Sequence, residues 1–426
     1  MERLNVWFCG LKVGFLDCER KTNSFTFSYS GDYLSRSDAR AISTSLPLQA
    51  EAFDPYSSRK FFENLLPPEV VRRKLEMVLH VSVGNVFGCL KALGRDCAGA
   101  IAVYPEDEEP NDTEEERLLE LSEGESEAAV RALPQRPLLV GAYDGFRMSA
   151  AGAQDKVIAR VREGRLVLPL YGAASTDIVK PAVDRLPESV FNELFCERLA
   201  ADCGIDAARC DVVRFGRETC YRTVRYDRYA AEGRIRRWHQ EDFCQMLGVE
   251  SEQKYQDDGG PSIPRCFRAI REMRLGFSAQ RKFLDFVIFN CLVGNADAHA
   301  KNFSVLYRNG FADVAPLYDS MSTAVYEGAS TRLAMRVGNA VKLADVTRKS
   351  FAELASQCEI KEGFVLDELD RISERIRAAA PRLSESLSDK GWSSPVYRPI
   401  IDVIDRQLSQ VESAAGIRAS SCRSGG

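Results

Sequence analysis

Short stretches in which apolar and polar residues alternate characterise the first part of this chain. Examples are Asn5-Val6-Trp7-Phe8 and Ser24-Phe25-Thr26-Phe27-Ser28-Tyr29. A period of two places every second side chain on one face of a sheet, so each stretch predicts a strand with one buried face. We predict that residues 1–104 form a small α+β subdomain.

Longer apolar runs replace this alternation in the second half of the chain. Residues 283–290 predict a buried helix and residues 303–307 predict a strand. Arg308-Asn309-Gly310 then has the composition of a hairpin turn. Beyond residue 227 we expect mainly helices, including a long periodic segment over residues 364–413. The pattern as a whole predicts an α+β protein with a helical carboxy-terminal part.

One strongly acidic segment interrupts the chain. Residues 106–127 contain 12 acidic residues and one arginine, a net charge of −11, so the rest of the chain carries +6 of the total of −5. Self-repulsion predicts that part of this segment is a mobile linker or a solvated helix face, with a site for a basic partner as the alternative. The predicted organisation is a subdomain at 1–104, an acidic linker at 105–130, a second part of the amino-terminal lobe at 131–228, a helical lobe at 229–416 and a disordered tail at 417–426.

Composition narrows the cellular setting. The 13 cysteines are odd in number and form no C-x-x-C pair, which argues against a complete disulfide framework. With three histidines in the chain, a zinc site is not favoured. No apolar run reaches transmembrane length and the first residues do not resemble a secretory signal. We therefore expect a cytoplasmic protein without membrane contact.

The most informative polar residues lie between the predicted helix and strand of the second half. Asp297 is followed five residues later by Asn302, and Asp319 comes a short hairpin beyond. ATP-dependent phosphoryl transfer needs a carboxylate beside the attacking hydroxyl and hard oxygen ligands for magnesium. We expect Asp297 to take the first role and Asn302 with Asp319 to take the second. The alternative is a solvated, capped loop, because this spacing also arises by chance.

Two features upstream fit the same chemistry. Small residues around Gly152 let the backbone approach an anion, which predicts a phosphate-binding loop. Its residues are Ala151, Gly152, Ala153, Gln154 and Asp155. Lys180 follows a β-branched pair, from which it would reach phosphates from a strand. The alternative for the loop is a plain turn, and the alternative for Lys180 is a solvated residue on an edge strand. Against both, the loop, the lysine and the Asp-x4-Asn motif follow one another in the order found in kinases.

These motifs together resemble one known family. They are Ser149-x-x-Gly152-x-Gln154-x-Lys156, Val179-Lys180-Pro181, Arg225-Tyr226-Asp227-Arg228, Gln240-Glu241-Asp242-x-Cys244-Gln245, Lys254-Tyr255-x3-Gly259-Gly260-Pro261 and Asp297-x-His299-x-Lys301-Asn302-Phe303. Ser43-Thr44-Ser45-Leu46-Pro47-Leu48 and Phe61-Phe62-x-Asn64-Leu65-Leu66-Pro67 extend the likeness into the amino-terminal region. In this order they resemble the HipA family of bacterial serine/threonine kinase toxins over nearly the whole chain.

The resemblance implies a fold and a set of roles. The fold would be two-lobed and distantly similar to protein and phosphoinositide kinases, with an α+β amino-terminal lobe and an all-α carboxy-terminal lobe. The implied roles are catalysis for Asp297, magnesium binding for Asn302 and Asp319, ATP phosphate binding for Lys180 and the loop at 151–155, and an adenine hinge formed by the backbone of Arg225, Tyr226 and Asp227. Ser149 matches a serine that is autophosphorylated in relatives, which switches the kinase off.

Three finer points depend on the same resemblance. Val224 stands where some relatives carry Glu, so a side-chain contact to the nucleotide is not expected there. His299 would meet a phosphate or make a loop-ordering hydrogen bond. Glu193, on the helix predicted to begin near residue 187, is a candidate partner for Lys180.

Partners follow from the resemblance as well. Members are usually neutralised by a HipB-like helix-turn-helix antitoxin that supplies DNA recognition, and their known targets are aminoacyl-tRNA synthetases, chiefly the glutamyl enzyme. The basic residues between Arg222 and Arg237 favour a solvated face over a nucleic-acid site, so DNA contact is expected only through the antitoxin. A small-molecule kinase and a nucleotide-free corepressor scaffold are the rival functions.

Overall fold

Two compact units make up the part of the chain that the structure describes. A computed structural model describes residues 1–110 and 116–412. Unit 1 consists of residues 1–181, 213–253 and 304–315. Unit 2 consists of residues 182–212 and 254–303 and the described part of 316–426. Each unit is therefore assembled from three separate stretches of sequence.

The elements run as follows along the described residues. The strands are β1 (Glu2–Phe8), β2 (Leu11–Glu19), β3 (Ser24–Tyr29), β4 (Ile101–Pro105), β5 (Leu118–Glu120), β6 (Val157–Arg162), β7 (Arg165–Pro169), β8 (Asp177–Pro181), β9 (Cys210–Phe215), β10 (Glu218–Val224), β11 (Arg228–Ala231), β12 (Arg234–Arg237), β13 (His239–Asp242), β14 (Ser304–Arg308), β15 (Phe311–Val314), β16 (Arg332–Val337) and β17 (Ala340–Lys342). The α-helices are α1 (Gly31–Leu34), α2 (Pro55–Glu63), α3 (Glu69–Leu79), α4 (Val86–Leu93), α5 (Glu123–Ala132), α6 (Ser189–Asp202), α7 (Phe243–Met246), α8 (Ile263–Glu272), α9 (Gly276–Leu292), α10 (Arg348–Gln357), α11 (Glu362–Asp389) and α12 (Tyr397–Glu412).

Antiparallel sheets form the frame of unit 1. A four-stranded sheet has the order β3-β2-β1-β4, and a six-stranded sheet has the order β5-β7-β6-β8-β10-β9. The predicted alternation is present in β3, where every second residue is buried and the others are partly exposed. Phe27 of this strand packs against Phe62 of α2 with ring centres 5.4 Å apart. One continuous hydrophobic core follows from such contacts.

A buried ion cluster sits within unit 1. The carboxylate of Asp96 is fully buried and accepts hydrogen bonds from Arg228 at 2.7 Å and from Arg237 at 3.1 Å. Asp227 accepts from Arg225 at 2.8 Å and from the backbone N–H of Gly99 at 2.7 Å. Burial alone would raise the pKa of Asp96, but the neighbouring guanidinium groups outweigh it and lower that pKa. The cluster thus holds ionised groups away from water.

A second buried contact joins the loop after α1 to β13 and β14. Ser43 donates a hydrogen bond of 2.5 Å to Glu241, and the hydroxyl of Tyr307 donates to the other oxygen of the same carboxyl group. Thr44 and Ser45 extend the contact through hydrogen bonds to the carbonyls of residues 246 and 245. The hydroxyl-rich motif at 43–45 therefore fastens two distant stretches of unit 1 together.

Helices form most of unit 2. The 28-residue α11 packs against α6, α9, α10 and α12, and its buried residues recur with helical spacing. The helix predicted at 283–290 is confirmed and extends over Gly276–Leu292. The pair β16 and β17 adds one short hairpin that an all-α lobe would not contain. Within the described ranges, no helix is both long enough and apolar enough to span a bilayer.

The structure confirms the α+β class and the turn at Asn309-Gly310, where both residues have positive φ between β14 and β15. One expectation needs correction. Residues 105–130 are not a linker throughout, because β5 and a capped α5 form there and Glu116 pairs with the buried Arg160 at 2.7 Å; α5 agrees with the helix face that was the other expectation for this segment. Helices predominate after residue 227 as predicted, although β11 to β15 also follow it and belong to unit 1. Residues 111–115 and the predicted tail at 417–426 lie outside the described residues.

Candidate active site

The loop after α9 is fixed to the helix that precedes it. Gly294 ends the helix with φ of +80°, and a Cβ added there would lie 2.4 Å from a methyl group of Val403. Asn295 then donates from its backbone N–H to the carbonyl of Asn290 at 2.8 Å and from its side chain to Oδ1 of Asn290 at 2.7 Å. Both asparagines are buried, so the start of the loop is rigidly placed.

Asp297 and Asn302 are brought together by this loop. The backbone N–H of Asp297 donates to the side chain of Asn295 at 3.0 Å. The side-chain amide of Asn302 donates to the backbone carbonyl of Asp297 at 3.3 Å, which leaves its Oδ1 for another partner. The five-residue spacing therefore closes into one compact turn, with Asp297 exposed and Asn302 nearly buried.

Asp319 is held beside the same loop by its two neighbours in sequence. The hydroxyl of Tyr318 donates to the carbonyl of Lys301 at 2.7 Å, and Ser320 donates to Oδ1 of Asn290 at 3.0 Å. Asp319 itself is exposed and has φ of +56°, a left-handed conformation uncommon outside glycine. Such a conformation persists where the surrounding contacts determine it, as these two anchors do.

Several neighbouring groups shift the pKa of the Asp297 carboxyl group. Protein atoms displace part of the water around its carboxyl group, which raises its pKa, and the carboxylate of Asp319 adds to that rise. The ammonium of Lys254 and a hydrogen bond with Tyr255 act in the opposite direction. The net effect is a raised pKa, so Asp297 is a better proton acceptor than an ordinary surface aspartate.

His299 makes the loop-ordering bond that was one of its two expected roles. Its Nε2 lies 2.8 Å from Nζ of Lys254, and its Nδ1 is buried without a hydrogen-bond partner among the described residues. Burial, and secondly the charge of Lys254, lower the pKa of this imidazole. A neutral, buried ring with an ammonium at its acceptor nitrogen supports the loop and does not favour direct phosphate binding.

The predicted phosphate loop lies in unit 1. Gly152 has φ of +92°, and the ammonium of Lys156 donates to the carbonyls of Ala151 at 2.7 Å and Gly152 at 3.1 Å. Ser149, just before the loop, is 1 % exposed and its hydroxyl donates to the carbonyl of Leu65 at 2.6 Å. The loop is therefore held closed by Lys156, and the serine that resembles an autophosphorylation site is inaccessible in this conformation.

Lys180 lies on β8 of unit 1, opposite Tyr221 of β10. Its ammonium is 5.6 Å from the centre of the Tyr221 ring, and the residue is 6 % exposed. A buried lysine is costly unless charged or polar partners compensate, which is not the behaviour of a solvated edge residue. Glu193 is buried on α6 of unit 2, and its pairing with Lys180 stays a prediction.

The side chains of the expected adenine hinge have a different role. Arg225 and Asp227 belong to the buried ion cluster around Asp96. The backbone N–H of Arg225 donates to Thr176, and the carbonyl of Asp227 accepts from Trp238. Their side chains are therefore structural, and the backbone hinge expected at these residues stays a prediction.

Sequence reasoning gave no role to several residues that shape this site. Lys254 and Tyr255 contact His299 and Asp297 from a separate loop. Asn290 anchors both Asn295 and Ser320 from within α9. The sequence could have pointed to Asn290, because it is an amide within an apolar helix. A polar side chain buried in such a helix needs a hydrogen-bond partner.

Comparisons with protein families match two parts of this chain. The model of the HipA-like C-terminal domain matches residues 148–381, and that of the HipA N-terminal domain matches residues 4–104. Similar proteins include "Putative kinase Y4mE" of Sinorhizobium fredii, which is 39% identical over 91% of this chain and 93% of its own length. The serine/threonine-protein kinase toxin HipA of Shewanella oneidensis is 29% identical over 87% of this chain and 86% of its own length.

A solved structure shares the fold over nearly the entire length. It is the Shewanella oneidensis toxin–antitoxin complex of HipA, HipB and operator DNA, whose matching chain is 26% identical. The TM-score is 0.80, with 97% of each chain covered. The match confirms the two-lobed, kinase-like fold expected from the sequence.

Proposed function

Since this chain belongs to the HipA family of kinases, we propose that it is an ATP- and magnesium-dependent serine/threonine-protein kinase. One observation carries the proposal: Asp297 and Asn302 close one turn, and Tyr318 and Ser320 hold Asp319 beside it. These side chains supply a carboxylate base and two hard oxygen ligands, the set that phosphoryl transfer to a hydroxyl requires.

The donor set fits magnesium. Asn302 offers an amide oxygen and Asp319 an exposed carboxylate, and magnesium is commonly bound by one or two carboxylates together with water and substrate phosphates. When bound, the ion would neutralise charge on the phosphate oxygens. Lys180 and the loop at 151–155 are proposed to bind the ATP phosphates, with the hinge backbone near Tyr226 on the adenine.

The chain's own residues then perform the transfer. A serine or threonine hydroxyl forms a new P–O bond with the γ-phosphorus while the bond to ADP breaks, and ADP leaves with those electrons. Asp297 accepts the hydroxyl proton, a task favoured by its raised pKa. The backbone N–H of Asp297 donates to Asn295 and its backbone carbonyl accepts from Asn302, and these two bonds would keep its carboxyl group at the substrate.

The biological role proposed here is that of the toxin in a type II toxin–antitoxin pair. The partner would be a HipB-like helix-turn-helix antitoxin through which DNA is contacted. The solved Shewanella oneidensis complex of HipA, HipB and operator DNA supports such a partner. The substrate would be an aminoacyl-tRNA synthetase in the cytoplasm, with the glutamyl enzyme favoured. Its phosphorylation would let uncharged tRNA accumulate and arrest growth.

The deciding experiment compares the parent protein with Asp297→Asn in labelled ATP and magnesium, alone and with a bacterial lysate. The parent is expected to label itself and one lysate protein, and the variant to label neither while melting at the same temperature. Equal growth arrest by both proteins would instead indicate a scaffold. ATP consumption by the parent without any labelled protein would indicate a small-molecule kinase.

A further inference from the structure

Lys254 and Tyr255 open a motif that the proposed chemistry does not yet use. They begin the stretch of unit 2 that runs from residue 254 to residue 303 and ends in the catalytic loop. Both are partly buried, and the backbone carbonyl of Lys254 accepts a hydrogen bond of 3.4 Å from Ala300. The two residues therefore border the loop that carries Asp297.

Each of the two side chains contacts a different member of that loop. The hydroxyl of Tyr255 hydrogen-bonds with the carboxylate of Asp297. The ammonium of Lys254 lies 2.8 Å from Nε2 of His299, and its charge also acts on Asp297. The Tyr255 ring stands edge-on to the imidazole with centres 5.4 Å apart, and Lys254 lies 5.0 Å from the centre of that ring. Together they form a small, closed set of contacts behind the carboxylate.

The direction of the Lys254 contact restricts the imidazole. An ammonium group can only donate, so Nε2 of His299 must accept and the ring is neutral with its proton on Nδ1. A buried ring in one tautomer cannot turn over without losing this bond. Lys254 therefore fixes His299, whose backbone N–H donates to Asp297 at 2.8 Å.

Strand β16 holds this segment and the catalytic loop at the same time. Gln256 accepts a 2.8 Å hydrogen bond from the backbone of Arg336, and the carboxylate of Asp257 pairs with the guanidinium groups of Arg332 and Arg336. The backbone N–H of Ala334, between those arginines, donates to Ala296 at 2.8 Å. One strand thus sets the distance between Tyr255 and Asp297.

We propose that Lys254 and Tyr255 are positioning residues for phosphoryl transfer: Tyr255 fixes the rotamer of the Asp297 carboxylate, and Lys254 fixes the loop through His299. This inference rests on the proposed kinase function. Both side chains act on the carboxylate and its loop, so they affect the chemical step and leave ATP binding unchanged. A carboxylate displaced by about 1 Å can cost on the order of 100-fold in rate.

The test measures kcat and the KM for ATP in a set of matched variants. Tyr255→Phe removes one oxygen, and we expect kcat to fall roughly 10- to 100-fold with the KM for ATP unchanged. Lys254→Met is expected to show the same split, and Lys254→Arg to restore most of kcat because it keeps a charged donor. Tyr397→Phe, which loses a 2.7 Å bond to the carbonyl of Trp392, is the control and should keep parental kcat.

The outcomes separate the two proposals. Parental kcat in Tyr255→Phe, in a preparation where Asp297→Asn is inactive, overturns the positioning roles and leaves the kinase intact. A rise in the KM for ATP with kcat preserved also overturns them, because the residues would then serve nucleotide binding. If Asp297→Asn is as active as the parent, the kinase proposal fails and this inference fails with it. If Lys254→Met does not fold, the kcat of Tyr255→Phe alone decides whether the positioning roles are kept or rejected.

Discussion

Asp96 and Arg228 form an ion pair of 2.7 Å in which the side chain of Asp96 is fully buried and that of Arg228 is 2 % exposed. Arg225 and Arg237 complete the surroundings of the same carboxylate. Burying charges costs several kcal/mol each unless they are paired and hydrogen-bonded, which this geometry achieves. The cluster connects residues that lie about 130 positions apart in the chain.

Asp96→Asn should therefore destabilise the protein strongly. The substitution leaves buried guanidinium groups without their counter-charge, and we expect a loss of about 3–5 kcal/mol in the free energy of unfolding. Urea titration followed by circular dichroism would measure it. Asp38→Asn is the control, since Asp38 forms an exposed pair with Arg36 and its loss should leave the free energy of unfolding almost unchanged. Equal effects of the two substitutions would contradict the role of the cluster.

Glu241 predicts a specific dependence of stability on pH. Burial raises the pKa of this carboxyl group from 4.5 to about 7, although hydrogen bonds from Ser43 and Tyr307 partly oppose the rise. Because the pKa is higher in the folded state, the folded protein binds the proton more tightly, and stability is lost as pH rises from about 4.5 through about 7. The loss amounts to roughly 3 kcal/mol at most.

Glu241→Gln removes that titration. Measured from pH 5 to pH 9, the free energy of unfolding of the parent should fall relative to that of the variant, with most of the change complete near pH 8. His239 has a lowered pKa and acts in the opposite direction at acid pH, but it is present in both proteins and cancels in the difference. A difference that does not vary with pH would refute the prediction.

Some of these features were visible in the sequence because they are local. Asn309-Gly310 determines its turn through the left-handed conformations of two adjacent residues, and Asp297 with Asn302 closes a turn within six residues. The buried helix before them follows from an apolar run that no solvated helix would carry. Such features depend on residues that are neighbours in the chain.

Other features depend on partners far away in sequence. Arg225 and Asp227 had the family position of a hinge, but their ion cluster requires Asp96, about 130 residues earlier. The strands β11 and β12 carry several arginines and no alternation of apolar residues, so no periodic signal marked them. The helix within the acidic segment forms because Ser122 and Glu125 cap it and buried residues on one face outweigh the repulsion.

The proposed magnesium ligands can be tested separately from Asp297. Asn302→Ala and Asp319→Ala should each lower phosphoryl transfer roughly 100-fold or more at saturating ATP, because the phosphate charge is then no longer neutralised. Initial rates across a magnesium titration would show this. The exposed Asp345 of the same unit provides the control substitution Asp345→Ala, which should keep the parental titration. Normal rates in Asn302→Ala and Asp319→Ala would exclude them as ligands.

The burial of Ser149 leads us to predict that autophosphorylation at this residue requires a local movement of the chain. Its hydroxyl is buried and donates to Leu65, so only a molecule in which residues near 149 have moved outwards can be phosphorylated there. Ser149→Ala should abolish the autophosphate and cost about 1 kcal/mol of stability, the value of one hydrogen bond. Mass spectrometry locates the label. Ser37→Ala, at an exposed position, should retain it, and a label that persists in Ser149→Ala would place the regulatory site elsewhere.

The division of each unit into separate stretches has a consequence for how the protein is made. The chain changes unit after residues 181, 212, 253, 303 and 315, so a ribosome completes unit 1 only when residue 315 has emerged. By then the stretch with Asp297 and Asn302 has already emerged, while Asp319 is still inside the ribosome. A translation product interrupted before residue 315 therefore contains neither a finished unit 1 nor Asp319.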